Sequence, residues 1–252
     1  MKISVVTVCY NSENYIGTAL ESISSQTFMD LELIIVDGAS TDQTVSIIRE
    51  YEPLFGDKLK WTSEPDMGLY DAMNKGIRMA SGDIIGMLNS DDFFFDQDVL
   101  AKVAKAFVEP DLKAIIGDIV FIKDVDHSKI ARHYSARNWQ PAKFAWGYMP
   151  PHPSFFVRRE YFEKLGYYKI DYKIAADYEL LIRFLLNNKI NWKYLPLITT
   201  KMRMGGASTK GLKSLITLNQ EIYRACRKNG VYTNYAMIYS KYLFKPFEFI
   251  FK

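Results

Sequence analysis

Two adjacent carboxylates, Asp91 and Asp92, come directly after the apolar run 84–88. The run predicts a buried strand, so both carboxylates would leave its carboxyl end. Ligands bind at that edge in open α/β sheets, and two acids placed there suit a divalent cation that bridges phosphate oxygens. The alternative is that one acid only caps the following helix, because Asp is a favoured N-cap residue.

Polar residues also follow the first two predicted strands, 3–9 and 31–36. Tyr10 and Asn11 come after the first strand, in a loop that could hold a phosphate or a base by its backbone N–H groups. Tyr10 could stack on a base, or it could be a buried residue of a plain turn. Asp37 ends the second strand, where its carboxylate could accept hydrogen bonds from a ribose or a base. No G-x-G-x-x-G pattern follows the first strand, so a dinucleotide-binding fingerprint is not supported.

The segment 64–76 is dense in polar groups and leads into a predicted helix. Asp66 lies just ahead of this helix, and Asn74 and Lys75 lie on it. Lys75 and Asp71 would be four residues apart on one helical face, where they could simply form an ion pair. That interpretation leaves Asp66 unexplained.

Asp177 precedes the apolar face of a predicted helix, 177–188. It could be only the N-cap of that helix, or it could be a carboxylate held at the mouth of the sheet as a general base. His152, between two prolines, could orient a ligand or make a structural contact. The residues alone leave both alternatives open.

The composition narrows the class of protein. The net charge of the 252 residues is +3, which gives no case for nucleic acid as a partner. Cys9 and Cys226 are too few for a disulfide framework or a metal cluster. The first residues lack the pattern of a secretory signal, and no apolar run reaches the roughly 20 residues that span a bilayer. We therefore expect a cytoplasmic protein, either free or peripheral at the inner face of the plasma membrane.

Strands separated by helix-length segments in the first half predict parallel pairing with right-handed crossovers, hence an α/β fold. The second half is less regular. It predicts strands at 113–122, 154–157 and 193–202, a turn at 124–133, and helices at 177–188, 212–228 and 235–252. Pro196 would lie at an edge or a bulge, and Pro246 would break the last helix. We expect a catalytic domain at 1–210 and a helical extension at 211–252.

Taken together, these residues resemble a family-2 glycosyltransferase of the GT-A fold, in particular the members that build bacterial surface polysaccharides. The matching motifs occur in family order across residues 3–210. They are Thr7-Val8-Cys9-Tyr10-Asn11, Val36-Asp37-Gly38-Ala39-Ser40-Thr41-Asp42, Asp66-Met67-Gly68-Leu69-Tyr70-Asp71-Ala72-Met73-Asn74-Lys75-Gly76, Leu88-Asn89-Ser90-Asp91-Asp92, His152-Pro153-Ser154-Phe155-Phe156 and Asp177-Tyr178-Glu179-Leu180.

The resemblance implies a Rossmann-like, mostly parallel mixed sheet flanked by helices, with C-terminal helices. It implies an inverting, metal-dependent enzyme that moves a sugar from a nucleotide-diphosphate sugar, with a UDP-sugar favoured, to a hydroxyl of a glycan or a lipid-linked acceptor. Asp177 would be the catalytic base, and Asp91 and Asp92 would hold Mn²⁺ or Mg²⁺. The implied donor-binding residues are Thr7, Tyr10, Asn11, Asp37, Asp66, Asn74, Lys75 and Asp91.

The sequence departs from the family pattern at two positions. Asn89 stands where many relatives have a first acid, so metal ligation would rest on Asp91 and Asp92. Ala176 stands where many relatives have Glu before the base, which removes a neighbouring carboxylate but leaves Asp177 itself.

Two other functions remain open. A nucleotidyltransferase can share this architecture, although it usually needs a Gly-rich, basic loop for a triphosphate, and residues 7–12 contain neither Gly nor Lys. A non-catalytic scaffold of a glycan-assembly complex would tolerate broken motifs, whereas the acids above are all present.

The tail from Tyr235 onward also has two interpretations. Its aromatic residues, together with Lys241, Lys245 and Lys252, suit the headgroup zone of an anionic membrane. Alternatively, the aromatic residues pack on the catalytic domain or form a homodimer interface.

Overall fold

The computed structural model describes residues 1–123, 126–204 and 211–244. In this part of the chain, nine strands form one mixed sheet. They are β1 (Ile3–Cys9), β2 (Leu31–Asp37), β3 (Leu59–Ser63), β4 (Ile84–Met87), β5 (Phe93–Phe94), β6 (Ala114–Lys123), β7 (Asp126–Tyr134), β8 (Phe155–Arg158) and β9 (Trp192–Arg203). The spatial order is β3-β2-β1-β4-β8-β6-β9-β5, and β7 pairs with β6.

Helices connect and cover these strands. They are α1 (Ile16–Ser24), α2 (Thr44–Phe55), α3 (Leu69–Met79), α4 (Val99–Ala106), α5 (Glu160–Leu165), α6 (Ala176–Leu181), α7 (Leu212–Lys228) and α8 (Tyr235–Phe244). A π-helical turn, Ile182–Asn187, continues α6. The expected α/β fold is therefore confirmed, with strands and helices alternating through the first half of the chain.

The first four strands place their carboxyl ends at one edge of the sheet. β1 pairs in parallel with both β2 and β4, and β2 pairs in parallel with β3. The register sets Cys9, the last residue of β1, opposite Asp37, the last residue of β2. The strand order reverses at β1, which makes this edge the topological switch point where open α/β sheets bind ligands.

Both faces of the central strands β1, β2 and β4 are buried, which explains why these strands are nearly continuous apolar runs. Helix α3 packs especially close to one face. A Cβ atom on Gly76 would lie only 2.4 Å from Cγ1 of Val6, so glycine is what allows this approach. The close packing fixes the amino end of α3 beside the carboxyl edge of the sheet.

Two of the predicted elements need correction, and one expectation is confirmed. The segment 124–133 is not simply a turn, because β7 occupies Asp126–Tyr134; it is polar because it pairs with β6 alone. The acid pair is followed by β5 rather than by a helix, and neither β5 nor α4 was predicted. The expected bulge at Pro196 is confirmed, since the β6–β9 register shifts between Tyr194 and Ile198.

The C-terminal helices pack on the rest of the chain. Ile238 of α8 is fully buried, and the hydroxyl of Tyr242 bonds to the amide of Asn219 on α7 at 3.0 Å. Lys241, expected at a membrane surface, is instead only 4% exposed, with its Nζ 3.5 Å from the carbonyl of Gly147. The residues from Lys245 onward, including Pro246, lie outside the described residues. None of the helices described is long and apolar enough to cross a bilayer.

Candidate active site

The carboxylate of Asp37 lies fully buried at the end of β2. Its oxygens accept hydrogen bonds from the backbone N–H and the hydroxyl of Ser40 at 2.9 and 2.5 Å, and from the hydroxyl of Ser63 at 2.6 Å. The thiol of Cys9 lies 3.5 Å away. Asp37 thus holds together the loops after β2 and β3, and its carboxylate is occupied by the chain's own donors.

The side chains of Tyr10 and Asp66 flank Gly38 just beyond the ends of the first three strands, and we refer to this place as the Tyr10 cleft. A Cβ atom on Gly38 would meet the Asp66 carboxylate at 2.9 Å and the Tyr10 ring at 3.4 Å. The Tyr10 side chain is 64% exposed, so it is not the buried residue of a plain turn. An exposed ring and a carboxylate on either side of a bare glycine backbone are suited to stacking on a base and accepting its N–H groups.

Two other residues of the first strand and loop have structural contacts. Asn11, at φ 48°, uses its side-chain oxygen to accept the N–H of Thr41 at 2.9 Å and thereby joins the loops after β1 and β2. Thr7 is fully buried inside β1. Its hydroxyl has no hydrogen-bond partner among the residues that the structure describes.

The two predicted donor-binding residues on α3 serve its packing. Asn74 is buried and exchanges two hydrogen bonds of 2.9 Å with the backbone of Tyr168. Lys75 pairs with Glu64 at 3.0 Å and with Asp71 at 3.8 Å, and it donates to the carbonyl of Pro65 at 2.9 Å. Lys75 therefore holds the segment that carries Asp66, rather than lying free beside a ligand.

Asp91 and Asp92 differ sharply in their surroundings. Asp91 is partly exposed beyond the end of β4, whereas Asp92 is buried. Burial, together with the charge of Asp91, raises the pKa of Asp92 well above its usual range, although Asn89 and Arg203 oppose this shift. Neither acid caps a helix, because α4 begins much later and its N-cap is Asp98.

The residues around Asp91 and Asp92 could hold a metal ion only if a bound substrate and water supplied its remaining ligands. Within the described residues, no three His, Cys, Asp or Glu side chains form a cluster that could hold a metal. However, Oδ2 of Asp92 and Oδ1 of Asn89 are buried without a hydrogen-bond partner in the described part of the chain. Unpaired buried oxygens beside the partly exposed Asp91 are compatible with a hard cation, which takes its remaining ligands from phosphate and water.

Asp177 lies in the first turn of α6, half-buried below the amino end of α3. Its Oδ1 accepts the N–H of Tyr178 at 2.7 Å and lies 3.4 Å from the hydroxyl of Tyr70. The N-cap position of α6 belongs to Ala175, so Asp177 is not the N-cap residue. Burial raises the pKa of Asp177 to about 6, despite these hydrogen bonds, which brings the carboxylate into the range where a general base works best near neutral pH.

His152 belongs to the packing around this acid. Its Nε2 lies 2.7 Å from the hydroxyl of Tyr168, whose ring stacks on Tyr70 with centroids 5.7 Å apart. Burial lowers the pKa of His152 to about 4, so the imidazole is neutral at physiological pH. His152 thus supports the aromatic pair beneath Asp177.

Sequence reasoning missed four side chains at the site. Tyr70 and Tyr168 support Asp177, Arg203 lies near Asp92, and Glu221 of α7 binds the loop ahead of α6. Tyr70 was visible only as a member of its motif. Glu221 had a weak signal, as a lone acid on the apolar face of a helix in a basic segment.

The mostly parallel sheet, flanked by helices, has the architecture of the GT-A fold. The chain belongs to glycosyl transferase family 2, because the sequence model of this family matches residues 4–166. It is 32% identical over 209 residues to a PGL/p-HBAD biosynthesis glycosyltransferase of Mycobacterium tuberculosis, covering 81% of this chain and 78% of the relative. It is 29% identical over 189 residues to an uncharacterized glycosyltransferase of Nostoc, covering 70% and 57%.

Solved structures support the same fold. S. aureus TarS 1-349 in complex with UDP-GlcNAc superposes with a TM-score of 0.68 at 19% identity, covering 89% of this chain and 66% of that one. The mannosyltransferase PcManGT from Pyrobaculum calidifontis, in complex with GDP-Man and Mn²⁺, gives 0.65 at 21% identity, covering 88% and 64%. The chain thus spans about two thirds of these two structures.

Proposed function

We propose that this glycosyltransferase moves a sugar from a nucleotide-diphosphate sugar to an acceptor hydroxyl with inversion at the anomeric carbon. The observation that carries the proposal is the amino-terminal turn of α3, which joins two groups of residues. Ahead of this turn, Asp66 binds the N–H of Gly68 at 2.8 Å beside the Tyr10 cleft. Within it, Tyr70 reaches Asp177. The donor cleft and the proposed base therefore adjoin the same helical turn.

In the proposed donor complex, Tyr10 stacks on the base and Asp66 accepts its N–H groups. Asp37 acts indirectly, since its buried carboxylate holds the loops on which the ligand rests. Asn11, Asn74 and Lys75 act in the same indirect way, through the loop and helix contacts described above. The complexes of TarS with UDP-GlcNAc and of PcManGT with GDP-Man support a nucleotide sugar as the donor class. Among these, we favour a UDP-sugar.

Asp91 and Asp92 would hold Mn²⁺ or Mg²⁺, with Asp91 nearer the solvent. A cation bound there would neutralise charge that develops on the leaving diphosphate. The PcManGT complex with Mn²⁺ supports this assignment for a protein of the same fold.

Asp177 would take the proton of the acceptor hydroxyl as that oxygen forms its bond to the anomeric carbon. The bond from this carbon to the diphosphate oxygen breaks on the opposite face, so a single displacement inverts the centre. A pKa of about 6 leaves Asp177 ionised at neutral pH yet basic enough to assist.

The acceptor would be a glycan or a lipid-linked saccharide, and α8 offers a surface that suits a membrane. Tyr235, Tyr239 and Leu243 recur every four residues and are 46%, 43% and 71% exposed. Such a stripe can lie in the headgroup zone at the inner face of a membrane, although Lys241 does not contribute to it. A homodimer through the same stripe is the competing interpretation.

Purified protein tests the function directly. We expect release of nucleoside diphosphate from one member of a panel of UDP- and GDP-sugars, with product of inverted configuration when an acceptor is present. Release of pyrophosphate from a nucleoside triphosphate would instead identify a nucleotidyltransferase. Binding of nucleotide sugars without any turnover across the panel would identify a scaffold.

A further inference from the structure

We propose that Glu221 of α7 is a positioning residue, which sets the place of Asp177 by binding the loop directly ahead of α6. The inference rests on the proposed role of Asp177 as the base. Glu221 lies in the C-terminal helical extension, beyond residues 4–166 that match the family. It touches neither the proposed donor cleft nor the acid pair in any described contact.

Three consecutive backbone N–H groups converge on the Glu221 carboxylate. Oε1 accepts the N–H of Lys173 at 2.7 Å, and Oε2 accepts those of Ile174 and Ala175 at 2.9 Å each. Glu221 is buried, so these bonds are shielded from water. Hydrogen bonds to a charged acceptor are about twice as strong as neutral ones, and a carboxylate with three donors holds the backbone at each of three successive residues.

The same loop is held from the other side. The hydroxyl of Tyr70 donates to the carbonyl of Ile174 at 2.5 Å, while its oxygen lies 3.4 Å from Asp177. The loop therefore lies between α3, which borders the donor cleft, and α7. Arg224, one turn after Glu221, adds a bond of 2.8 Å to the carbonyl of Asp171 and stacks over Tyr172 at 3.7 Å.

Geometry explains why this matters for Asp177. Ala175 is the N-cap of α6, and Asp177 follows it by two residues. A displacement of the cap displaces the carboxylate with it, and misplacing a catalytic group by about 1 Å can cost about 10²-fold in rate. Ala176 supplies no carboxylate of its own. Glu221, 44 positions further along the chain, brings a negative charge near Asp177 from another helix.

The charge of Glu221 also acts on Asp177, whose pKa it raises. Among the described residues, Tyr70 of α3 and Tyr168 also interact with Asp177, and Glu179, two residues further along α6, is paired with Arg183 at 2.9 Å. None of these lies on α7. Loss of the Glu221 charge should therefore lower the pKa of Asp177 and move the acid limb of the pH–rate profile to lower pH. A purely structural defect would not produce this effect.

The test compares Glu221→Gln with Gln220→Ala, an exposed neighbour on the same helix. Gln has nearly the same volume but turns an N–H₂ group toward the three N–H donors. We expect hydrogen exchange at residues 173–175 to be about tenfold faster, kcat to fall by about 10²-fold with the donor KM nearly unchanged, and the acid limb to shift downward. Glu221→Asp, which retains the charge, should recover part of kcat and keep the acid limb in place.

Unchanged exchange at 173–175 in a folded Glu221→Gln protein would overturn the proposal, and so would a wild-type kcat. Equal changes in the Gln220→Ala control would also overturn it. If the wild-type protein itself transfers no sugar, the proposed function fails. Hydrogen exchange then decides separately whether Glu221 holds the loop.

Discussion

The hydroxyl oxygen of Tyr70 lies 3.4 Å from Oδ1 of Asp177, across 107 residues of chain. Tyr70 lies in the first turn of α3, which borders the donor cleft, and Asp177, the proposed base, lies in the first turn of α6. The contact joins two motifs that are far apart in the sequence, and it suggests direct tests.

Replacing Asp177 with Asn should lower the transfer rate by about 10²–10⁴-fold, because general-base assistance is lost. Donor binding should remain near normal. Folding raises the pKa of Asp177 to about 6, above its unfolded value, so the stability that this group contributes is present at low pH and is lost as pH rises through about 6. The Asn side chain does not ionise, so the variant does not lose stability in this way as pH rises. Its Tm at pH 8 should therefore equal or exceed that of the wild type. Near-wild-type transfer would return Asp177 to a structural role.

Replacing Tyr70 with Phe should move the acid limb of the rate profile to higher pH. The hydroxyl lowers the pKa of Asp177 by favouring the charged carboxylate, so its removal raises this pKa. Most of the hydroxyl's bonding goes to the carbonyl of Ile174 at 2.5 Å, so we expect a modest shift. The exposed Tyr232 provides the matched control, Tyr232→Phe. A shift toward lower pH would contradict the assignment.

Removal of the metal, or of its proposed ligands, should abolish donor turnover. We expect EDTA and Asp91→Asn each to eliminate the Mn²⁺-dependent binding of the donor nucleotide measured by calorimetry. Asp92→Asn should weaken this binding while preserving the fold, because Asn closely matches the protonated carboxyl that burial favours. Asp57→Asn, at an exposed position, is the control. Full activity in EDTA would rule out the metal.

Acid should destabilise the protein through Glu32, a buried residue of β2. Burial alone would raise its pKa, but hydrogen bonds from Ser4, Ser81 and Lys60 outweigh burial and lower it to about 2. The stability that Glu32 contributes is therefore present above pH 4.5 and is lost as pH falls toward 2. Urea unfolding between pH 5 and pH 2 should show a weaker pH dependence for Glu32→Gln than for the wild type or for Glu50→Gln, which alters an exposed acid.

The exposed stripe of α8 should bind anionic vesicles. We expect the full-length protein to float with phosphatidylglycerol vesicles at low salt, and Leu243→Glu to reduce this binding, since a charge replaces an apolar contact. Truncation of α8 is a poorer test, because Ile238 and Lys241 are buried. Absence of flotation, with a dimer detected by sedimentation and lost in Leu243→Glu, would favour the homodimer interpretation.

Local pattern was enough to predict most of the elements. β1 and α7 were predicted to the residue, because apolar spacing reports the period of a strand or helix directly. Where the pattern was weak, prediction failed. β5 has only two residues, and β7 is polar because it pairs on one side alone, so neither carries a hydrophobic signature.

The amino-acid sequence by itself thus determined the α/β class, the order of strands and helices as far as β4, and the acids that lie at the carboxyl edge of the sheet. The tertiary structure decided what each acid does there. Asp37 and Asp91 both lie at the ends of apolar runs. Hydrogen-bond donors enclose the Asp37 carboxylate, whereas Asp91 is partly exposed to solvent. Glu221 reaches the loop before Asp177 from a helix 44 residues away. Burial, pKa and hydrogen-bond partners arise from contacts between distant segments, and no local spacing of residue types encodes them.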